Sequence, residues 1–116
     1  MQRPLRIISR DFELTPTIEA EIRGKAEGLE TYYPHISGCE VTLRAPAIKH
    51  HRKGGPFIVT LRMTVPGKEL AVDHQPREDL SLAVREAFDA ARRQLEDYAR
   101  EQRGAVKTRT PFEEEE

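Results

Sequence analysis

The sequence predicts an α+β domain in the order β-α-β-β-β-α, a four-stranded mixed sheet with two helices packed on one face. Three observations carry this. Short segments of alternating apolar and polar residues recur between Leu5 and Arg10, Cys39 and Arg44, Phe57 and Val65, and Leu70 and Val72. Two longer segments place apolar residues every three or four positions. The chain has 116 residues, 37% hydrophobic and 34% charged, which is room for one domain with a modest core. Each strand has one apolar face and each helix one apolar stripe. Laying both helices on the same side of one sheet buries all of these and leaves the other side wet.

In the first strand Leu5, Ile7 and Ser9 alternate with Arg6, Ile8 and Arg10. Leu14-Thr15-Pro16 opens the first helix. Thr15 suits the N-cap, and Pro16 the first helical position, where its missing N–H costs nothing. Ile18, Ile22, Ala26 and Leu29 share one face of it. Gly24 and Gly28 each cost somewhat under about 1 kcal/mol against Ala, and close approach to a neighbour is one use for them. Tyr32-Tyr33-Pro34 ends the helix, because the residue before a proline is pushed out of the helical region. In the second strand Cys39, Val41 and Leu43 face one way and Glu40, Thr42 and Arg44 the other. In the third, Phe57, Val59, Leu61, Met63 and Val65 alternate with Ile58, Thr60, Arg62 and Thr64. Pro66-Gly67 marks a tight turn, with Pro preset for its first central position and Gly free to take positive φ. Leu70 and Val72 then make a short antiparallel fourth strand. The first strand joins through the helical crossover, parallel to a neighbour. Asp79 is the expected N-cap of the second helix, whose stripe is Leu80, Val84, Phe88, Ala91, Leu95 and Tyr98, and Gly104 marks its end. The chain so divides into a folded domain, 1–104, and a flexible acidic tail, 105–116.

No apolar run approaches the roughly 18 residues of a membrane span. The N-terminus has no apolar stretch for a signal peptide. The single Cys39 can make neither an internal disulfide nor a Cys-rich zinc site. Membrane proteins, secreted disulfide scaffolds and zinc fingers are poor candidates, and a cytoplasmic location is expected. The formal charge of -1 conceals segregation. Residues 41–68 hold Arg44, Lys49, Arg52, Lys53, Arg62 and Lys68 and no acid, whereas the chain closes on Glu113–Glu116. Such an acid-free stretch fits either a polyanion partner or a solubilising loop.

Catalysis finds little support. His50-His51 lies among Lys49, Arg52 and Lys53 with no nearby carboxylate to orient an imidazole, and adjacent side chains in an extended segment point apart. Neither a metal site nor a catalytic dyad is expected there. Cys39 fits a small core residue rather than a nucleophile. Lys53-Gly54-Gly55-Pro56 opens no helix, so it is not a phosphate loop. No cofactor, metal or small-molecule substrate is expected. Nucleic-acid binding is better supported. Lys49-His50-His51-Arg52-Lys53 is a compact basic cluster in a connecting loop. On the second helix Arg85, Arg92, Arg100 and Arg103 fall along one flank of the apolar stripe, with Arg93 at the far edge. Asp89 and Glu96 interleave with them. Taken alone the helix fits a solvated face held by pairs such as Asp89–Arg93 and Glu96–Arg100. Taken with the loop it fits a polyanion surface. The open sheet face would carry Arg6, Ile8, Arg10, Glu40, Thr42, Arg44, Ile58, Thr60 and Arg62 and no aromatic. That argues against base stacking on the sheet and for phosphate and sugar contacts through long cationic side chains. The alternative is a protein-interaction module, acting for example on a transcription factor through the basic loop.

Several pieces, in order and spacing, resemble a known family over most of residues 4–103. They are Leu14-Thr15-Pro16, Lys25, Leu29-Glu30 with Tyr32-Tyr33, Val59-Thr60-Leu61, the Pro-Gly turn with Glu69-Leu70, Glu78-Asp79-Leu80, Ala83-Val84 and Arg92-Arg93-Gln94-Leu95. The chain resembles the ribosome hibernation-promoting factors, also called ribosome-associated translation inhibitors or sigma-54 modulation proteins. The resemblance implies a four-stranded sheet with two helices on one face and a non-enzymatic role. It implies binding to the small ribosomal subunit, to 16S-type rRNA and neighbouring ribosomal proteins, in the channel for mRNA and tRNA anticodon stems. Translation would be inhibited by occupancy, and idle ribosomes kept in hibernation. Separately from the resemblance, a monomer in solution is expected. The RNA contacts implied are Lys25, Arg85, Arg92, Arg93, Arg100 and Arg103, with Lys49, His50, His51, Arg52 and Lys53 of the loop. Arg44, from the same acid-free stretch, completes the candidate set. Lys25 lies beside Ile22 and Leu29, so its stem would follow the core edge with the charge at the surface.

Overall fold

In the computed structural model the alternating segments become one sheet and the two periodic segments become helices. It describes residues 4–10, 12–45, 56–73 and 76–108, with side chains to 103. The elements are β1 (Arg6–Arg10), α1 (Pro16–Tyr32), β2 (Gly38–Arg44), β3 (Ile58–Val65), β4 (Lys68–Asp73) and α2 (Leu80–Thr108). The sheet order is β1-β2-β3-β4. β1 runs parallel to β2, and the other two pairings are antiparallel. The register sets Ile7, Val41, Leu61 and Val72 in one row on the inner face. Arg6, Glu40, Arg62 and Ala71 form the next row, on the outer face.

The inner face meets both helices in one core. Val41, Leu43, Val59, Leu61 and Met63 are buried against Ile22, Ala26 and Leu29 of α1 and Val84, Ala87, Phe88, Ala91, Leu95 and Tyr98 of α2. Full burial of each large apolar side chain contributes about 1.5–3 kcal/mol. The α+β architecture expected from the alternation is the one observed.

Local chemistry fixes the element ends. The Ile18 N–H donates to Thr15 Oγ1 at 3.2 Å, with Pro16 at the start of α1. The Ser81 and Leu82 N–H groups donate to Asp79 Oδ1 at 3.0 and 3.4 Å, so Asp79 caps α2. Gly67 takes φ 80, the value a type II Pro-Gly turn requires. α2 is stitched to the β3–β4 hairpin. Gln94 Nε2 donates to the Ala71 carbonyl at 2.9 Å, and the Tyr98 hydroxyl donates to the Pro66 carbonyl. The Gln94 contact occupies a carbonyl of an edge strand that would otherwise be open to pairing.

Three expectations change. Phe57 lies outside β3, in an isolated bridge with Arg77, while its ring packs edge-on to Phe12 at 5.3 Å. α2 does not stop at Gly104 but continues to Thr108. A glycine costs a helix only about 1 kcal/mol, and no proline follows until Pro111 to force a stop. Gly24 and Gly28 serve no close approach, since a Cβ at either would meet nothing within 4 Å. The loop holding Lys49–Lys53 and residues 109–116 of the tail lie outside the described residues.

Candidate nucleic-acid interface between the helices

α1 follows β1 and α2 follows β4, and these two strands point the same way, so the helices start from the same end of the sheet. Two contacts join them side by side. Ser81 Oγ donates to the Glu21 carboxylate at 3.1 Å, and the Arg92 guanidinium lies over the Tyr32 ring, 5.1 Å from its centroid. Both intervals, 21 to 32 and 81 to 92, span the same number of residues, so the helices run parallel and in step. At about 100° per residue, Glu21, Lys25, Gly28 and Tyr32 share one stripe of α1, and Ser81, Arg85 and Arg92 the facing stripe of α2. Lys25 and Arg85 each lie four residues past the first contact, about 6 Å along the axis. By this arithmetic they stand level on the facing stripes of the two helices, on either side of the groove between them.

Lys25 is half-buried, as a lysine with its stem along the core edge should be, and Arg85 is exposed. Neither has an ion-pair partner among the described residues. Two level, unneutralised cations repel one another weakly, and an anion between them relieves this. Arg92 and Arg103 continue the line of Arg85 along α2, while Arg93 and Arg100 lie further round its exposed surface. The helix pairs differ from those expected. Glu96 turns to Arg92 at 3.8 Å and Asp97 to Arg100 at 2.9 Å, leaving no Glu96–Arg100 bridge. Arg93 instead edges a shallow cleft with Arg77, Glu86 and Asp89.

Arg44 stands apart. Strand alternation turns Leu43 and Ala45 into the core and Arg44 out, opposite Arg10 on the far side of the sheet from the helices. The structure therefore brings Lys25, Arg85, Arg92 and Arg103 to one flank and leaves Arg44 on the other face. Lys49, His50, His51, Arg52 and Lys53 lie outside the described residues; Ala45, the last one described before them, is at the end of the sheet where both helices begin. Tyr32 was missed from the sequence as more than a helix-end marker. The signal was available, because it shares a helical stripe with Lys25.

Cys39 is 5% exposed, and burial, with a smaller contribution from Glu40, pushes its thiol up to about 11. It is a core residue. Among the described residues no group of three His, Cys, Asp or Glu could hold a metal ion, and no helix is long and apolar enough to cross a membrane.

Residues 5–103 match the family described as sigma 54 modulation protein / S30EA ribosomal protein. The chain belongs to this family. The S30EA family is ribosome-associated and non-enzymatic. The fold is similar to the crystal structure of the Thermus thermophilus Protein Y N-terminal domain, with a TM-score of 0.66 and 22% identity over 80% of this chain and 94% of that one. It is also similar to a ribosomal subunit interface protein from Coxiella burnetii, with a TM-score of 0.69 and 15% identity over 82% of this chain and 96% of that one. No curated protein matches the chain.

Proposed function

We propose that this S30EA-family chain binds the small ribosomal subunit through its rRNA, inhibits translation by occupancy and holds idle ribosomes in hibernation under stress. The carrying observation is the pair of level, unpaired cations, Lys25 and Arg85, across the inter-helix groove, extended along α2 by Arg92 and Arg103. Long cationic side chains on a rigid helical frame contact phosphates and sugars, and so follow the shape of folded RNA rather than its sequence. Arg93 and Arg100 widen this surface. Lys49, His50, His51, Arg52 and Lys53 add further contacts, whereas Arg44, on the outer face of the sheet, lies away from this surface. The protein acts as a cytoplasmic monomer. No bond is made or broken. Initiation fails because the same rRNA surface is no longer free for mRNA and tRNA.

Sedimentation through a sucrose gradient tests this. The wild-type chain is expected to travel with small subunits at low salt and to be released as salt rises. A variant with Lys49, Arg52 and Lys53 changed to Ala is expected to be released at lower salt. A wild-type chain that stays at the top of the gradient at low salt would overturn the reading and move the search to protein partners.

A further inference from the structure

Tyr32 is the one large hydrophobic residue that is exposed among the described residues, at 41%. The other described aromatics are spent on the core or its margin. Phe88 and Tyr98 are buried, Tyr33 packs edge-on to Tyr98 at 5.8 Å, and Phe12 and Phe57 pack on each other. An aromatic ring left in water forgoes a large burial gain, so its position matters. Tyr32 sits on the stripe that holds Lys25, at the far end of the cationic groove. Arg92 lies over the ring at 5.1 Å and holds it in place, while its own carboxylate partner, Glu96, is a loose 3.8 Å away. One turn earlier Gly28 leaves open space, where a Cβ would meet nothing within 4 Å. The result is an exposed aromatic ring held by Arg92 and bordered one turn earlier by the open space at Gly28.

We infer that Tyr32 is a stacking platform for one unpaired nucleobase of the bound RNA, with Arg92 bracing the ring. A flat, apolar, weakly hydrated face next to cations suits a base whose own phosphate those cations hold. The inference rests on the RNA-binding reading above and adds a contact to a base where that reading has only phosphates and sugars. A Tyr32–Arg92 pair that only fastened the two helices would leave the affinity for RNA untouched by loss of the ring and lower only the thermal stability.

The test measures affinity for purified small ribosomal subunits across a salt series. It compares wild type with Tyr32→Phe, Tyr32→Leu and Tyr32→Ser, with Arg85→Ala as reference. Thermal unfolding of each variant is followed in parallel. Stacking predicts that Tyr32→Phe binds as wild type. Tyr32→Leu and Tyr32→Ser should lose roughly 5- to 100-fold at every salt concentration. Their slope of log affinity against log salt should stay unchanged, because no charge is lost, whereas Arg85→Ala flattens its slope by about one. Wild-type affinity in Tyr32→Leu and Tyr32→Ser would overturn the platform. So would a flattened slope in those variants, since the ring would then be acting only by placing the Arg92 charge. A wild-type chain that binds no subunits removes the RNA reading itself, and the platform with it.

Discussion

At Cys39 a thiol is governed by the strand that carries it. Alternation turns the side chain inward with Val41 and Leu43, and burial raises its pKa to about 11. A raised pKa means that the native state keeps a proton which the unfolded chain gives up at the ordinary thiol value, near about 8.5. That contribution is fully present below the ordinary value and is lost as pH climbs toward 11. Urea unfolding at pH 7, 9 and 10.5 should show wild-type stability falling across this window, by an amount on the order of 2 kcal/mol. Cys39→Ala should fall less. Equal falls would show that other groups carry the alkaline sensitivity. Cys39 was legible from alternation alone. The partners of Arg92 and Arg100 were not. Several carboxylates lie within reach of each guanidinium, and exposed pairs differ by only tenths of a kcal/mol. The spacing rule that offered Glu96–Arg100 could not rank it against Asp97–Arg100.

Elements were legible where a local chemical signal marks them. Thr15-Pro16 starts α1, and Thr15 Oγ1 accepts the Ile18 N–H as a capping residue should. Thr15→Ala should therefore cost about 1 kcal/mol in chemical denaturation, with Thr15→Ser close to wild type. A null effect would mean that the packing of Ile22, Ala26 and Leu29 holds the helix start without its cap. The end of α2 was less legible, because Gly104 permits a stop without requiring one. Only positive φ or a following proline would compel it, and the helix instead runs to Thr108. Gly24 and Gly28 misled for a related reason. A small residue shows that close approach is possible, but only the neighbour's position shows whether it occurs.

For the whole molecule, binary pattern was enough to fix the sheet, its wet face and the side on which the helices lie. One core can bury all of these stripes at once only if the helices share a face. The groove was less legible. Each helix could be searched for basic stripes by angular arithmetic, and α2 showed one. That Lys25 stands level with Arg85, and that Arg44 is cut off from both by the sheet, depends on how two distant segments align. The alignment is set by contacts such as Glu21–Ser81 and Tyr32–Arg92, sixty residues apart in sequence, which no local pattern encodes. Family membership over residues 5–103 ties the chain to the ribosome, and the groove is the surface proposed to meet it.

The most direct test of that placement is the salt dependence of binding to small ribosomal subunits for two doubly substituted proteins of equal charge. One loses the groove cations, Lys25→Ala with Arg85→Ala. The other loses two cations of the outer sheet face, Arg6→Ala with Arg62→Ala. If the groove carries the RNA, the first should bind at least tenfold more weakly at moderate salt, with a slope flatter by roughly 1.5–2. The second should match wild type in both. A groove variant that keeps the wild-type slope, with a sheet variant that loses it, would contradict the account and move the RNA to the other side of the molecule.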